Sequence, residues 1–459
     1  MRCFQSTMIV AGCCVAPLLA VAQAPTSPAA APTTAAPHIL TLAQATAAAM
    51  KNPRLAMARL DAQVAGTRAD EANAARLPRV SATAFLAPSP EAHCVNTDCT
   101  VTTPQNQNLA FSGVFGGASL TITQPLYTFG KIAAARQAAQ AGQRASAALA
   151  DEVAGDTAVE VARAYWGVKL ARTLGWMLDD GLDEITAAMK SDDAKDMSVQ
   201  DRQRVAVLIA EAKAQRADAT LGEAQALAGL RALTQIADAD VDDAELAALE
   251  KDQSYFAAHS SAERPQLRAA QAGVAASDAL AKLEARQAWP DLAVVGQVGI
   301  SRAQGVDDPP SIFANDPFNS NAGGIALVLR WNVEPWTVAA KANRAKLLAE
   351  RAKVQAAGVA TLADLDLNSA IAQVDAARTK VAATAEGEAA ARAWVASILQ
   401  AQAIGTAEAR DMVDAYVAWF QMRARWAAAA SDWNIALVRL GRARGEFRAL
   451  SSVQTPEQR

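Results

Sequence analysis

Two patterns of hydrophobic and polar residues alternate along the chain. Residues 80–86 and 120–124 place apolar or small side chains at every second position, which predicts β-strands. Long alanine-rich segments without proline lie between such strands and predict helices. The segment from residue 131 to about 194 would form a helix on the order of 90 Å long, so we expect coiled-coil or bundle packing.

The same pattern occurs twice. Pro53 and Pro265 each precede a helical segment, and Pro78 and Pro290 each separate such a segment from a strand; both pairs lie 212 residues apart. Beyond the strands the spacing is 208 residues, as shown by Arg136 and Arg344, Ser198 and Thr406, Arg202 and Arg410, and Arg231 and Arg439. A duplicated unit of about 200 residues predicts two structurally similar halves.

Each half is predicted to contain a helix, two strands and a long helical hairpin. Pro125 is expected to end the second strand, and Gly130 to open the helix that follows. We expect an acidic external linker with one short helix over residues 238–262 and a disordered tail over 451–459. The first repeat is predicted over 40–237, with a helix at 53–76, strands at about 79–88 and 114–124 and a hairpin at 131–236. The second is predicted over 263–450, with a helix at 264–287, strands at about 291–302 and 323–332 and a hairpin at 337–450.

The N-terminus has the features of an export signal. A single positive residue, Arg2, precedes an apolar stretch at 8–21 that is too short to span a bilayer, and Ala20 and Ala22 form a small-x-small cleavage site. Residues 1–22 are therefore predicted to be a signal peptide, followed by a disordered lead at 23–39. In the alternative, residues 10–13 resemble a lipobox, in which Cys13 would be acylated.

Two cysteines remain after the predicted cleavage. Cys94 and Cys99 lie five residues apart in the loop between the first two strands, and export to an oxidising compartment favours a disulfide between them. The alternative is two free thiols. His93 adds too few ligands for a metal site. The three histidines, His38, His93 and His259, lie in loop-like sequence, where we expect them to be solvated.

Composition argues against several classes of function. The net charge of −4 does not favour nucleic-acid binding, which needs a basic face. The sequence has no glycine-rich phosphate loop, no HExxH and no CxxC motif. It also offers no pairing of a nucleophile with a base. We therefore expect no enzymatic activity, no cofactor and no metal.

The strands are the predicted route across a membrane. After the signal, no stretch is long and apolar enough for a transmembrane helix, which leaves a closed β-barrel. Each half offers two strands of about ten residues, the spanning length of a tilted strand. Four strands leave open edges, so several chains must contribute, and three chains would give twelve strands. Aromatic residues at the strand ends fit an interfacial girdle or, alternatively, pack helix ends onto the sheet: Tyr127, Phe129, Trp289, Trp331 and Trp336.

The order of helix, strand pair and long hairpin, repeated once, resembles the TolC-type outer-membrane efflux protein family, also called outer membrane factors. The similarity covers the chain from about residue 40 to 450. Residues 120–130 (LTITQPLYTFG) resemble the family's second strand, which ends in a proline, an aromatic residue and a glycine. Residues 333–336 (VEPW) depart from that ending, since the proline is shifted and the glycine is missing. This departure leaves the start of the second long helix open.

The resemblance implies a mainly α-helical protein with a membrane β-barrel portion. Three protomers would share a 12-stranded β-barrel in the outer membrane, and their hairpins would form a long hollow α-barrel across the periplasm. The implied function is a passive exit duct of a tripartite efflux pump or a type I secretion system. Its implied partners are two further copies, outer-membrane lipid, a periplasmic adaptor and an inner-membrane pump of RND or ABC type. Drugs, metals and proteins all remain open as cargo.

The second hairpin turn carries the candidate gate. Asp411 and Asp414 lie three residues apart and therefore share a helix face. The family's two aspartates at this spacing line its periplasmic constriction, so the resemblance implies a ring with two carboxylates from each protomer. Such a ring attracts cations and repels itself. In the alternative, both residues are solvated helix charges that pair with Arg410 or Arg423.

The two turns are also the predicted contacts for the adaptor. Ser198 and Thr406 can each cap the helix that follows, and Gly405 suits the chain reversal. Where the family has a basic residue that latches the closed state, this chain has Ala407, so the latch would use other residues such as Arg202 or Arg410. The predicted contact set is Met197, Ser198, Arg202, Gly405, Thr406 and Arg410. The alternative is that these are only well-capped turns.

Two rival functions fit parts of the sequence. A periplasmic adaptor or coiled-coil scaffold shares the export signal and the long hairpins, but it would have one hairpin flanked by small β-domains. A periplasmic enzyme shares only the export signal. The duplicated strand pairs therefore favour the channel.

Overall fold

The structure is a computed structural model of the 459-residue chain. It describes residues 37–90, 111–190, 198–250, 264–307, 318–403, 406 and 409–446. The chain divides into two units, Met1–Pro37 and His38–Arg459, and the elements below all belong to the second. Several sequence predictions lie outside the described residues: the signal peptide with Cys13, the lead as far as residue 36, His93, Cys94, Cys99, Met197, the linker at 251–262, Gly405, Ala407 and the tail at 451–459.

Helices and strands follow the duplicated order. The first half contains β1 (His38–Leu40), α1 (Leu42–Ala49), α2 (Pro53–Ala74), β2 (Arg79–Pro90), β3 (Phe111–Tyr127), α3 (Lys131–Lys190), α4 (Val199–Thr234) and β4 (Ala239–Val241). The second contains α5 (Pro265–Arg286), β5 (Asp291–Ala303), β6 (Ser320–Arg330), α6 (Pro335–Ala403) and α7 (Ala409–Arg444). Helix α1 was not predicted; Thr41 and Gln44 form a capping box at its start.

Helices α2 and α5 show the duplication most directly. Each has 22 residues and begins with a proline, Pro53 or Pro265, whose fixed φ suits the first helical position. Asn52 caps α2 by accepting a hydrogen bond from the Arg54 N–H at 2.9 Å. The Asn52 side-chain amide also donates to the Leu233 carbonyl at 3.0 Å. One side chain therefore joins the end of α4 to the start of α2.

Four strands form one antiparallel sheet in the order β2–β3–β5–β6, so β2 and β6 are its edges. The prediction that Pro125 ends the second strand is wrong. Strand β3 continues to Tyr127, and its pairing with β5 shifts register between these two residues. A proline has no N–H to donate, and an irregularity of this kind is where a strand tolerates it.

Helix α3 is the central helix of the protomer. Beside its half nearer the sheet lie α2 and α5, and beside its half nearer the hairpin turn lie α4 and α7. Helix α6 packs on α5 and α7. The helices are thus ordered α2–α3–α5–α6 near the sheet and α4–α3–α7–α6 near the turns. The core lies around the middle of α3, where Tyr165 and Trp166 are 1% and 2% exposed.

The segment after α4 is part of this core, so the predicted external linker is wrong over its described residues. Strand β4 pairs in parallel with β1. The first two residues of β1, His38 and Ile39, are also the last two residues of the predicted lead. Leu246 and Leu249 are buried, and the Trp433 indole N–H donates to the Leu249 carbonyl at 2.8 Å. The segment was misjudged because a three-residue strand and two isolated leucines leave no periodic signal.

Candidate functional site

One face of the sheet is apolar over most of its area. Apolar residues alternate along β5 from Leu292 to Ile300, and the register brings apolar residues of the other strands beside them. This span is about 26 Å along the strand, close to the apolar band of about 25 Å that meets lipid in outer-membrane barrels. Ile325 and Leu86 are 84% and 82% exposed on this face. We call it the apolar face: Val80, Leu86, Leu120, Ile122, Leu292, Val294, Val298, Ile300, Ile325, Leu327 and Leu329.

The opposite face is mostly small and polar. Many of the strand positions that alternate with the apolar ones carry hydroxyl, amide or glycine residues, and the Ser301 and Ser320 hydroxyls lie 2.8 Å apart at one end of the sheet. We call this the polar face: Ser81, Thr83, Ser119, Thr121, Thr123, Gln297, Gly299 and Ser301. An antiparallel sheet with one apolar and one polar face buries the apolar face against a protein core or, in outer-membrane barrels, against lipid.

Aromatic residues gather where the sheet meets the helices. The Phe129 ring stacks on Trp289 with centroids 5.5 Å apart, and Tyr127 meets Phe129 edge to face at 4.7 Å. The Trp331 indole N–H donates to the Ala288 carbonyl at 3.0 Å, a bond between a strand end and a helix end. The structure thus brings these predicted residues together at one end of the apolar face.

The junctions into the two long helices differ as their sequences do. Gly130 has φ of 79°, and a Cβ there would lie 2.6 Å from the Arg286 guanidinium, so this position requires glycine. The Arg286 guanidinium donates to the Gly130 carbonyl at 2.8 Å, and α3 begins at the next residue. In the second half, α6 begins at Pro335, two residues before the predicted start, because proline fits the first helical position without a preceding glycine.

The first hairpin turn has the predicted cap. Ser198 precedes α4, and its hydroxyl accepts from the Asp201 N–H at 3.1 Å. At the second turn the Thr406 hydroxyl donates to the Ala401 carbonyl at 3.0 Å, so its hydrogen bond goes to the end of α6. Helix α7 is described from Ala409 onward, so the predicted cap by Thr406 stays a prediction.

Asp411 and Asp414 lie at the start of α7, next to the second turn, and both are exposed in the single chain. Arg410 approaches Asp414 to 4.0 Å, a loose pair between side chains that are 62% and 52% exposed. Arg423, the other suggested partner, binds Glu245 at 3.1 Å instead. An exposed pair of this length contributes little to stability, so the contact with Arg410 leaves Asp414 accessible to other partners.

An aromatic cluster on α7 was missed in the sequence. Tyr416, Trp419 and Phe420 follow helical spacing, and their rings contact one another. The Tyr416 hydroxyl donates to Glu184 of α3 at 3.5 Å, and the Trp419 indole N–H donates to Glu388 of α6 at 2.9 Å. Burial and then the charge of Glu184 raise the pKa of Tyr416. The cluster fastens α7 to both neighbouring helices just behind the tip.

None of the described helices is both long and apolar enough to cross a membrane. Within the described ranges, no three or more histidine, cysteine, aspartate and glutamate side chains are placed to hold a metal ion.

A family model matches the chain twice. The model for outer membrane efflux proteins matches residues 45–234 and again residues 257–446. The two matches begin 212 residues apart, the spacing of the proline pairs, so the duplication is confirmed. A comparison with curated proteins gave no match.

Solved outer-membrane channels share the fold at low sequence identity. The CmeC outer membrane channel of Campylobacter jejuni is 14% identical, with a TM-score of 0.70 over 96% of this chain and 99% of that one. The outer membrane protein VceC of Vibrio cholerae is 16% identical, with a TM-score of 0.71 over 88% and 96%. The MtrE outer membrane channel of Neisseria gonorrhoeae is 19% identical, with a TM-score of 0.70 over 88% and 89%.

The chain belongs to the outer membrane efflux protein family. It is an efflux channel protein of the outer membrane that extends into the periplasm, and the TolC-type resemblance is confirmed. The family consists of channel proteins, not enzymes. Because the chain belongs to this family, the channel is favoured over the periplasmic adaptor.

Proposed function

We propose that three copies of the chain close side by side into a passive exit duct. Their strands would form a 12-stranded β-barrel in the outer membrane, and their helices a hollow α-barrel across the periplasm. The duct would serve a tripartite efflux pump or a type I secretion system. One observation carries this proposal. On the same two sides of the protomer, the described sheet has an unpaired strand edge and the helical layer has exposed apolar side chains.

On one side lie β2, α2 and α4, and on the other lie β6 and α6. In the single chain, β2 and β6 each have one neighbouring strand within the described sheet, and an open strand edge invites pairing with another chain. The α6 side exposes Leu347, Leu348, Val354, Leu362 and Leu365. The opposite side exposes Met57, Leu60, Val64, Val207 and Leu221. Two different edges that pair head to tail generate a closed ring when the rotation between neighbouring copies closes, as a threefold rotation does.

The faces of the sheet support the same arrangement. With the apolar face outward, lipid covers the side chains that water would otherwise contact. The proposed girdle of Tyr127, Phe129, Trp289, Trp331 and Trp336 then lies at the periplasmic edge of the membrane. Trp336 supports this placement, because its side chain is 87% exposed at the first turn of α6.

We assign the periplasmic gate to Asp411 and Asp414. At the positions 208 residues earlier the first hairpin has Gln203 and Ala206, so only the second hairpin of each protomer would supply carboxylates. A ring of like charges prefers cations and is easily loosened, because its members repel one another. A partner that draws the tips apart would therefore open the ring at low cost.

We assign the docking of a periplasmic adaptor to the same tip. Ser198, Arg202, Thr406 and Arg410, with the flanking Met197 and Gly405, are the proposed contacts. The adaptor would link the duct to an inner-membrane pump of RND or ABC type. Support comes from their position at the turns, the part of the hairpins farthest from the sheet.

Single-channel conductance in a planar bilayer tests the duct and the gate together. The purified wild type should give a small, cation-selective conductance, and the Asp411→Asn/Asp414→Asn variant a larger or less selective one. Asp375→Asn, an exposed carboxylate in the middle of α6, is the matched control and should behave like the wild type. A pore unchanged by the double substitution removes the gate assignment and keeps the duct. A monomer that conducts no current overturns the duct.

A further inference from the structure

Three phenylalanine rings interrupt the polar face. Phe85 of β2 and Phe115 of β3 meet edge to face with centroids 5.0 Å apart, and Phe318, just before β6, meets Phe115 in the same way at 5.5 Å. Phe85 pairs with Gly117, and Phe115 with Ala87, at positions that alternate with those of the apolar face. The three rings form a row across the sheet at its end away from the helices. We call it the phenylalanine row.

The row is not part of the apolar face or of its aromatic girdle. Leu86, the neighbour of Phe85, points to the apolar face, so Phe85 itself points the other way. The other side chains around the row on its own face are mostly hydroxyl, amide and glycine residues. An aromatic row among them therefore lies on the water side of the sheet.

The chain makes room for this row. A Cβ at Gly117 would lie 2.8 Å from the Phe85 ring, so glycine lets the ring lie across the neighbouring strand. Phe85 nevertheless remains 45% exposed. Edge-to-face contacts occupy the edge of one ring and a face of the next, so ring surface stays open for another molecule.

We propose that the phenylalanine row binds lipophilic cations that carry aromatic groups. The inference rests on the proposed function, because only in a closed trimer does the polar face line the lumen and do three rows form a belt near the outer mouth. A ring face attracts positive charge within about 6 Å, and the same surface packs against aromatic groups. Cargo of this chemistry would bind transiently at the belt before it leaves the duct.

Block of the single-channel current by tetraphenylphosphonium, added on the outer side, tests the proposal. The wild type should be blocked at lower concentrations than those needed with aliphatic tetraethylammonium, which has the same charge but no aromatic groups to pack against the phenylalanine rings. The Phe85→Ser/Phe115→Ser variant should raise the half-blocking concentration of tetraphenylphosphonium by about tenfold, since both the ring packing and the cation–π contacts are lost. The Phe85→Leu/Phe115→Leu variant keeps apolar volume and should fall between the two. Phe318 lies outside the strands, so Phe318→Ser is the variant to test if the double variants do not form trimers.

The outcomes separate the belt from the duct. Trimers that conduct normally, and that tetraphenylphosphonium blocks equally in the wild type and in all phenylalanine variants, would overturn the binding site; the row would then only fill space beside Gly117. Trimers of the wild type that conduct no current would overturn the exit duct, and with it the placement of the row in a lumen.

Discussion

The two long helices occupy equivalent places in the duplicated sequence but very different places in the protomer. At offset 208, Trp166 of α3 corresponds to Val374 of α6, and both are 2% exposed. On another face, Ala154 and Thr157 of α3 are 7% and 2% exposed, whereas their counterparts Leu362 and Leu365 are each 64% exposed. Helix α3 is covered on both sides by its own chain, and α6 on one side only.

This difference shows which helix surface the protomer does not cover by itself. Small residues suffice on α3, because α2 and α4 already pack against it. On α6 the same positions hold leucines that the chain leaves uncovered. Large apolar side chains are exposed on α6 at positions where α3 buries small ones. Such an exposed apolar surface indicates a binding site for another molecule. In the proposed trimer that molecule is the next copy, which would give α6 the covering that α3 has within its own chain.

The largest effect should come from charging the uncovered side of α6. The Leu362→Glu/Leu365→Glu variant should weaken association of protomers on the order of a thousandfold, because two buried leucines contribute several kcal/mol and the new carboxylates must be desolvated. Helix content should stay near that of the wild type. Native mass spectrometry in detergent measures the trimer, and circular dichroism the helix content.

The matched control for this pair is Thr157→Glu on α3. Its residue is the counterpart of Leu365 but is buried within the protomer, so this variant should lose folded protein before it loses trimers. Leu362→Glu/Leu365→Glu protein that stays fully trimeric would contradict the assignment of α6 to the interface between copies.

The next effect concerns the covered helix. Trp166→Ala should destabilise the protomer by about 3–5 kcal/mol, because the cavity would open in the middle of the core. Trp166→Phe should cost under about 1.5 kcal/mol, since it keeps most of the packing and removes an indole N–H that has no hydrogen-bond partner in the described part of the chain. Thermal unfolding followed by circular dichroism measures both. Equal losses from the two variants would show that the core there is not tightly packed.

A third prediction concerns a charge network of the first repeat. The Arg172 side chain is 11% exposed and binds Asp240 at 2.6 Å, Glu223 at 2.8 Å and Asp243 at 3.0 Å. Arg172→Met should destabilise the protein by about 3 kcal/mol, because it leaves partly buried carboxylates without their cation. Its counterpart on α6 is the exposed Lys380, and Lys380→Met should change stability by under about 0.5 kcal/mol. Similar losses in the two variants would mean that the network does not hold the segment after α4.

The sequence was a good guide to most elements that a local rule decides, although the capping box of α1 was missed and Pro125 does not end β3. Prolines set the starts of α2 and α5, alternation identified the four strands, and Ser198 was found as a cap, because each signal involves only nearby residues. The segment at 239–249 was misjudged, because its burial depends on α3 and α7, which are distant in sequence. The register that separates the two faces of the sheet, and thus the phenylalanine row, also follows from strand pairing that periodicity alone does not fix. Tyr416 and Trp419 were missed because helical spacing predicts a shared face but not the glutamates of two other helices.

The smallest predicted effect is a dependence of stability on pH that arises in the first repeat and has no counterpart at the matching position of the second. Glu152 of α3 corresponds to Ala360 of α6. Burial, and then the charge of Asp156, raise the pKa of Glu152, while Arg442 and a hydrogen bond with Gln266 lower it in part. Between the unfolded value near 4.3 and the raised folded value, the folded state holds a proton that the unfolded state has lost. Stability therefore falls as pH rises through this interval, and the cost persists at neutral pH.

Glu152→Gln keeps the shape of the side chain and removes this cost. It should raise stability at pH 7 by about 0.5 kcal/mol or less, since the group is partly screened by solvent, and the gain should vanish below about pH 4. Glu160→Gln is the control of opposite sign, because Glu160 binds Arg54 at 2.9 Å on the surface and its loss should leave stability unchanged or slightly lower. The midpoint of thermal unfolding at the two pH values measures the difference. A loss of stability at pH 7 would show that Glu152 is held charged by its arginine neighbour. A gain that persists in acid would show that the gain does not come from the charge of Glu152. Either result would mean that the first repeat has no charge penalty here that the second avoids.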